Sequence, residues 1–226
     1  MTRSVLFDTE TTGLEPTKGD RVIEVAALEL ENDLPTGLTF HRLIHPDRDV
    51  PDEVVRIHGI TLDKLRDAPR FAEIAADLIA FLGDGKLVAH NAPFDFGFLD
   101  AEFQRLGHKS LDRARMVDTL ALAKTRFPGM PNSLDALCRR FEIDLSERTT
   151  HNALLDCRLL AEVYVELTGG RQRGLSLATD GQSQIPVATY AATGTRTPRL
   201  ITPDEATQQA HTAFVARLKD PVWGLP

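Results

Sequence analysis

The chain has 226 residues, 42% of them hydrophobic and 26% charged, with a formal net charge of −7 at pH 7. That length holds one domain with a substantial core plus a tail, and the composition suits a soluble globular protein. The acidic balance argues against a protein that grips long duplexes through many phosphates, no apolar run is long enough to span a membrane, and Asp8 interrupts any apolar leader, so a cytoplasmic protein is expected.

The first strand, over about residues 3–9, carries the apolar run Val5-Leu6-Phe7 into Asp8-Thr9-Glu10 and then a turn from Thr11 to Gly13. Alternate side chains of a strand share a face, so Asp8 and Glu10 point one way and Thr9 the other. Such a pair at the carboxyl end of a buried strand lies where open α/β sheets place ligands. Hard divalent cations take oxygen ligands, and phosphoester hydrolysis gains from two of them held ~3.5–4 Å apart. Taken alone, Asp-x-Glu equally describes a strand end with solvated charges.

Further strands are expected at about 21–31 and 38–45, then a helical stripe through Phe71, Ile74, Ala75, Leu78 and Leu82, and a strand from Lys86 to His90. Asp95, just after Pro93, opens a helix expected to reach about Leu106; in isolation it also reads as a charge favouring a helix N-terminus. Met116-Val117-Asp118 reads as a short strand, and three more helical segments end near Thr168. This order predicts an α/β fold, a mixed five-stranded sheet flanked by helices. Cys138 and Cys157 fall in helical patterns without metal-ligand spacing and read as small buried hydrophobes.

Ala153, Leu160, Val163 and Leu167 stand three, four, seven and eleven residues from Asp156, the spacing of one helix face. Asp156 is therefore expected mid-helix on the apolar stripe, where an ionised carboxylate is costly unless paired or bound to metal. His151, just before that helix, has an ordinary pKa of about 6.5 that suits a general base at neutral pH; its plain alternative is an exposed loop histidine.

After Thr168-Gly169-Gly170 the chain turns to Gln, Ser, Thr, Ala, Gly and Pro, read as a flexible linker over 171–198 that follows a catalytic domain of 1–170. Order is expected again in 199–226, where Pro203-Asp204-Glu205 starts a helix with Ala206, Ala210, Phe214 and Leu218 before the single tryptophan, Trp223. A helical stripe and a terminal aromatic beyond a linker look like an anchor for another protein; the alternative is a helix packed back on its own domain.

The order Asp8-x-Glu10, His90-Asn91-x-x-x-Asp95 and His151-x4-Asp156 resembles the DEDDh branch of the 3'-5' exonucleases, which have an RNase H-like fold. The sister branch carries a tyrosine four residues before the last aspartate, and here that position is Asn152. Val5 to Gly13, Arg56-Ile57-His58-Gly59-Ile60-Thr61, His90 to Asp95 and His151 to Asp156 further resemble, almost end to end, the proofreading (epsilon) subunits of bacterial DNA polymerase III.

The resemblance implies that Asp8, Glu10, Asp95 and Asp156 hold two divalent ions, Mg2+ or Mn2+, and that His151 is the base. It also implies that Glu53 and His58 join Asp8, Glu10 and Asp156 in holding the terminal nucleotide of a single-stranded or frayed 3' DNA end. Few phosphate contacts suffice for such a substrate, in keeping with the acidic balance and with weak affinity for long duplex. The tail, through Phe214 and Trp223, would bind the polymerase (alpha) subunit in a nucleoid-associated replisome. Gln172 to Leu177 resembles a peptide that docks on the sliding clamp through Leu175 and Leu177, without the usual terminal aromatic; an ordinary linker is the alternative. Two other readings compete: an RNA-directed DEDDh exonuclease, which has no use for the linker and Trp223, and a catalytically silent replisome adaptor, against which the complete carboxylate and histidine set speaks.

Overall fold

The computed structural model describes residues 2–146, 148, 150–169 and 202–219, in two units, Met1–Ser176 and Leu177–Pro226. In the first unit, β1 (Arg3–Thr11), β2 (Val22–Glu31), β3 (Leu34–Leu43), β4 (Lys86–Ala89) and β5 (Met116–Asp118) form a five-stranded sheet in the order β3-β2-β1-β4-β5. β1 and β2 pair antiparallel, as do β2 and β3, whereas β4 runs parallel to both β1 and β5. The sheet is mixed, as the sequence predicts.

The β2–β3 hairpin turns at Asn32-Asp33, both with positive φ (52° and 66°), the backbone that two-residue hairpin loops require. β3 thus starts at Leu34 and stops at Leu43, not over the expected 38–45. It is an edge strand exposed along most of its length, so no half-buried alternation marked its start.

Alternation in β1 sorts its side chains between two layers. Val5 and Phe7 pack with residues of α3 (Phe71–Leu82) and α4 (Ala92–Arg105), among them Phe71, Leu78, Phe96 and Phe103. Leu6 joins the other cluster, with Ala123 of α5 (Thr119–Arg126), Leu137 of α6 (Leu134–Arg140) and Leu160 of α7 (Ala153–Leu167). Phe7 is fully buried with its ring centroid 5.7 Å from that of Phe96; truncation to alanine costs about 3–5 kcal/mol in such a site. Both cysteines are free and buried in the α7-side layer.

Two short helices, α1 (Asp52–His58) and α2 (Leu62–Leu65), were not expected from the sequence. They bury only His58 and Leu65, too few positions to print a helical stripe.

β1, β4 and β5 end side by side, and the chain leaving β4 passes through Asn91, in left-handed backbone (φ 67°), straight into α4. Asp118 fastens this crossing: its Oδ1 accepts from the backbone N–H groups of Asn91 (3.0 Å), Ala92 (3.3 Å) and Leu120 (3.0 Å), joining the starts of α4 and α5.

In the second unit α8 (Glu205–Val215) begins where the sequence predicts, with Asp204 capping it by accepting from the Thr207 N–H at 2.8 Å. Phe214 lies on this helix and is exposed. The linker over 171–198 and the residues Leu175, Leu177 and Trp223 lie outside the described residues. Among the described residues, no helix is long and apolar enough to cross a membrane.

Candidate active site

The carboxyl end of β1 and the first turns of α4 and α7 line a cavity of about 580 Å³ that gathers Asp8, Glu10, Asp95, His151 and Asp156. Each arrives by a different physical route. Asp8 and Glu10 lie on the face of β1 that turns toward α7. Asp95 comes from the opposite layer, in the first turn of α4. Thr9, on the strand's other face, carries it to the site: its N–H and Oγ1 donate to Asp95 Oδ1 at 3.1 and 2.7 Å. The alternation expected of Asp8, Thr9 and Glu10 holds, but Thr9 is the residue that anchors the fourth carboxylate.

Asp156 is buried in the first turn of α7, not mid-helix. Asn152 caps that helix by accepting from the Leu155 N–H at 3.0 Å. The apolar stripe runs almost wholly C-terminal to the aspartate, and a repeating stripe by itself does not show where a helix starts. The helix N-terminus favours the ionised carboxylate.

Arg148 and Glu24, absent from the sequence-based set, complete this side. Arg148 Nε and Nη2 donate to Asp156 Oδ1 and Oδ2 at 2.6 and 2.7 Å, and Nη1 to Asp135 Oδ1 at 2.5 Å. It stands in irregular chain, where no periodicity singles it out. Glu24 pairs with Glu10 across the β1–β2 ladder and is fully buried. Its carboxylate accepts from Asn152 Nδ2 and the Ala153 N–H, both at 3.2 Å, and lies 2.6 Å from His41 Nε2, so it ties the start of α7 to the sheet. A carboxylate inside the run Val22-Ile23-Glu24-Val25 was itself a readable signal, by the cost argument applied to Asp156.

Glu53 and His58 share α1, Glu53 exposed in its first turn and His58 buried at its end. Neither lines the cavity that gathers the other five, although α1 borders it through the His151 N–H, which donates to the Ile57 carbonyl at 3.2 Å. Burial pulls the His58 pKa down.

The carboxylates divide into two states. Burial first, then the charges of Asp95, Glu10 and Asp156, hold the Asp8 carboxyl well above its usual range. Burial pushes Glu10 up to about 8 against the opposing pull of His151, and Asp95 up to about 7 in spite of the Thr9 hydrogen bonds. Asp156 goes the other way: burial raises it, but the hydrogen bonds from Arg148 and His151 outweigh burial and keep it low. The Asp156 hydrogen bond in turn raises His151. His151 Nδ1 is 3.3 Å from Asp156 Oδ2 and 3.0 Å from Arg148 Nη2. With its proton on Nδ1 the ring donates to the Asp156 carboxylate and leaves Nε2 free to accept a proton, whereas a ring bare at Nδ1 accepts from the guanidinium.

A crowd of buried carboxylates driven toward protonation is a site that divalent cations would satisfy. Glu10, His151 and Asp156 each place a donor atom within 4.8 Å of the others. Asp8 and Asp95 add oxygens to the same cavity, and an oxygen-rich set of this kind suits hard divalent ions.

Residues 5–164 match the exonuclease family. The chain is similar to DNA polymerase III subunit epsilon of Rickettsia conorii, 44% identical over 221 residues that cover 96% of each chain. It is also 44% identical to subunit epsilon of Escherichia coli over 191 residues, 81% of this chain and 78% of that one. Among solved structures it resembles exonuclease X in complex with 5' overhanging duplex DNA, at 25% identity and a TM-score of 0.59, covering 74% of this chain and 91% of that one. Exonucleases of this fold use divalent metal ions, and the donor set here fits them. Because the likeness to the Rickettsia protein runs nearly the whole length, the chain belongs to the DNA polymerase III epsilon subunits, proofreading 3'-5' exonucleases of the DEDDh superfamily.

Proposed function

We propose that this chain removes mispaired deoxynucleotides one at a time from a single-stranded or frayed 3' DNA end, with Asp8, Glu10, Asp95 and Asp156 holding two Mg2+ or Mn2+ ions. The observation that carries the reading is the convergence of these four carboxylates and His151 on one cavity, from β1, α4 and the start of α7. Bound divalent ions supply polarisation of the scissile phosphodiester and offset its charge. His151 takes the proton of the attacking water as oxygen adds to phosphorus and the bond to the 3' oxygen breaks, releasing a nucleoside monophosphate. Asp156 orients that imidazole. Glu53 and His58, on the helix that borders the cavity, hold the terminal nucleotide together with Asp8, Glu10 and Asp156.

The nuclease domain spans 1–170 and the linker 171–198. The tail, 199–226, binds the polymerase (alpha) subunit through Phe214 and Trp223, and Leu175 and Leu177 touch the sliding clamp. The protein works in the cytoplasm, in the nucleoid-associated replisome. The net charge of −7 supports a short DNA contact, with the remaining grip supplied by the partner.

The test is Mg2+-dependent degradation, by the purified chain, of a 5'-labelled DNA primer with a mispaired 3' end beside a matched primer and an RNA strand. Stepwise shortening from the 3' end, fastest for the mispair and far slower for RNA, is expected. Preference for RNA moves the chain to RNA processing, and no cleavage of any strand leaves an adaptor.

A further inference from the structure

Among the described residues lining the cavity, Arg148 carries the sole Arg or Lys side chain. Its side chain is 9% exposed, and the guanidinium covers both Asp156 oxygens through Nε and Nη2, while Nη1 holds Asp135. A bidentate pair of this kind engages the whole carboxylate. Asp156 also belongs to the trio, with Glu10 and His151, whose donor atoms converge within 4.8 Å. A divalent ion drawn to that trio meets a cation seated on one of its ligands, and like charges repel strongly beside side chains as buried as Arg148 and Asp156.

The surroundings give the arginine a way to yield. It stands in irregular chain between α6 and α7, so its side chain can withdraw without unwinding either helix. Asp135, on α6 and 42% exposed, remains as its partner, which avoids stranding an unpaired guanidinium.

We propose that Arg148 competes with the divalent metal for Asp156, so that binding there exchanges one cation for another: Arg148 keeps Asp135 and releases Asp156 and His151. This rests on the reading of Asp156 as a metal ligand. Metal affinity is then weaker than the carboxylate set alone would give, and Asp156 remains paired whichever cation holds it.

The test is calorimetric titration of the full chain with Mn2+ alone, without DNA, with folding checked by circular dichroism. Arg148→Gln, which keeps an amide but no charge, is expected to bind Mn2+ about tenfold more tightly, a change of ~1.4 kcal/mol. Arg148→Lys, which keeps the charge but not the fork, shows a smaller tightening and carries the test if the Gln variant fails to fold. Asp156→Asn loses affinity. Unchanged or weaker Mn2+ binding in the Arg148 variants, with Asp156→Asn still impaired, overturns the exchange and leaves the metal reading standing. Mn2+ binding that Asp156→Asn does not alter overturns both.

Discussion

The α4 side of the site and its α7 side hold carboxylates of the same type in opposite condition. Asp95 enters from α4 with only neutral donors, the N–H and hydroxyl of Thr9, and burial lifts its pKa to about 7. Asp156 enters from α7 with a guanidinium on both oxygens and a histidine beside it, and despite its burial it stays low. Burial alone therefore does not set the state of a site carboxylate. The deciding factor is whether a positive charge bonds the carboxylate directly: Arg148 sits on both oxygens of Asp156, whereas Asp95, in the same cavity, is held by Thr9.

The comparison breaks most easily at the carboxylates themselves. Asp8→Ala and Asp156→Ala are each expected to lower turnover by several orders of magnitude while the circular dichroism of the domain stays native. Wild-type turnover in either variant would remove that carboxylate from the chemistry.

His151→Ala should cost roughly 10²–10⁴-fold in rate. Because Asp156 raises the imidazole pKa and the base acts when neutral, the wild-type rate climbs as pH rises through a value above the ordinary histidine range. That limb should vanish in the variant, and an unchanged pH–rate profile would place the proton transfer elsewhere.

Glu24→Ala sharpens the α7 side. It strands the Asn152 amide and the Ala153 N–H and frees the start of the helix that carries Asp156. About 1–3 kcal/mol of stability should be lost in urea unfolding, with a fall in turnover that Glu24→Gln partly restores. Full turnover in Glu24→Ala would separate the α7 start from the chemistry.

The smallest expected effect is on pH-dependent stability. Glu10 and Asp95, with folded values of about 8 and about 7, keep protons in the folded chain that the unfolded chain has already released. Their stabilisation is complete below the ordinary carboxylate range and is lost as pH rises through 7 to 8. Asp156 has the opposite sign: its contribution is present above the ordinary aspartate value, is lost only on acidification, and stays constant over this window. Scanning calorimetry of chelator-treated protein should therefore show Tm falling by a few degrees from mild acid to pH about 8. Added Mg2+ should flatten that slope. A Tm that rises over the same range would contradict the division between the two sides.

Local pattern was legible where one element buries one face. Alternation in β1 put Asp8 and Glu10 together, the stripe from Phe71 to Leu82 marked α3 to the residue, and Asp204 marked the start of α8. Where burial is sparse the pattern failed: α1, α2 and the exposed start of β3 carry too few core positions to show a period.

By itself the sequence determined the mixed sheet, the order of its main elements and the residue types able to bind a hard cation, because periodicity and side-chain chemistry are local properties. Only the tertiary structure decided that Asp95 reaches the site from the opposite layer through Thr9, that Asp156 begins its helix, that Glu24 ties that helix to the sheet, and that Arg148 is the partner on Asp156. The Thr9–Asp95 and Glu24–Ala153 contacts join elements distant in sequence, and Arg148 meets Asp156 from irregular chain that has no period. The packing of two helical layers on opposite faces of one sheet creates them, and no spacing within a single element encodes them.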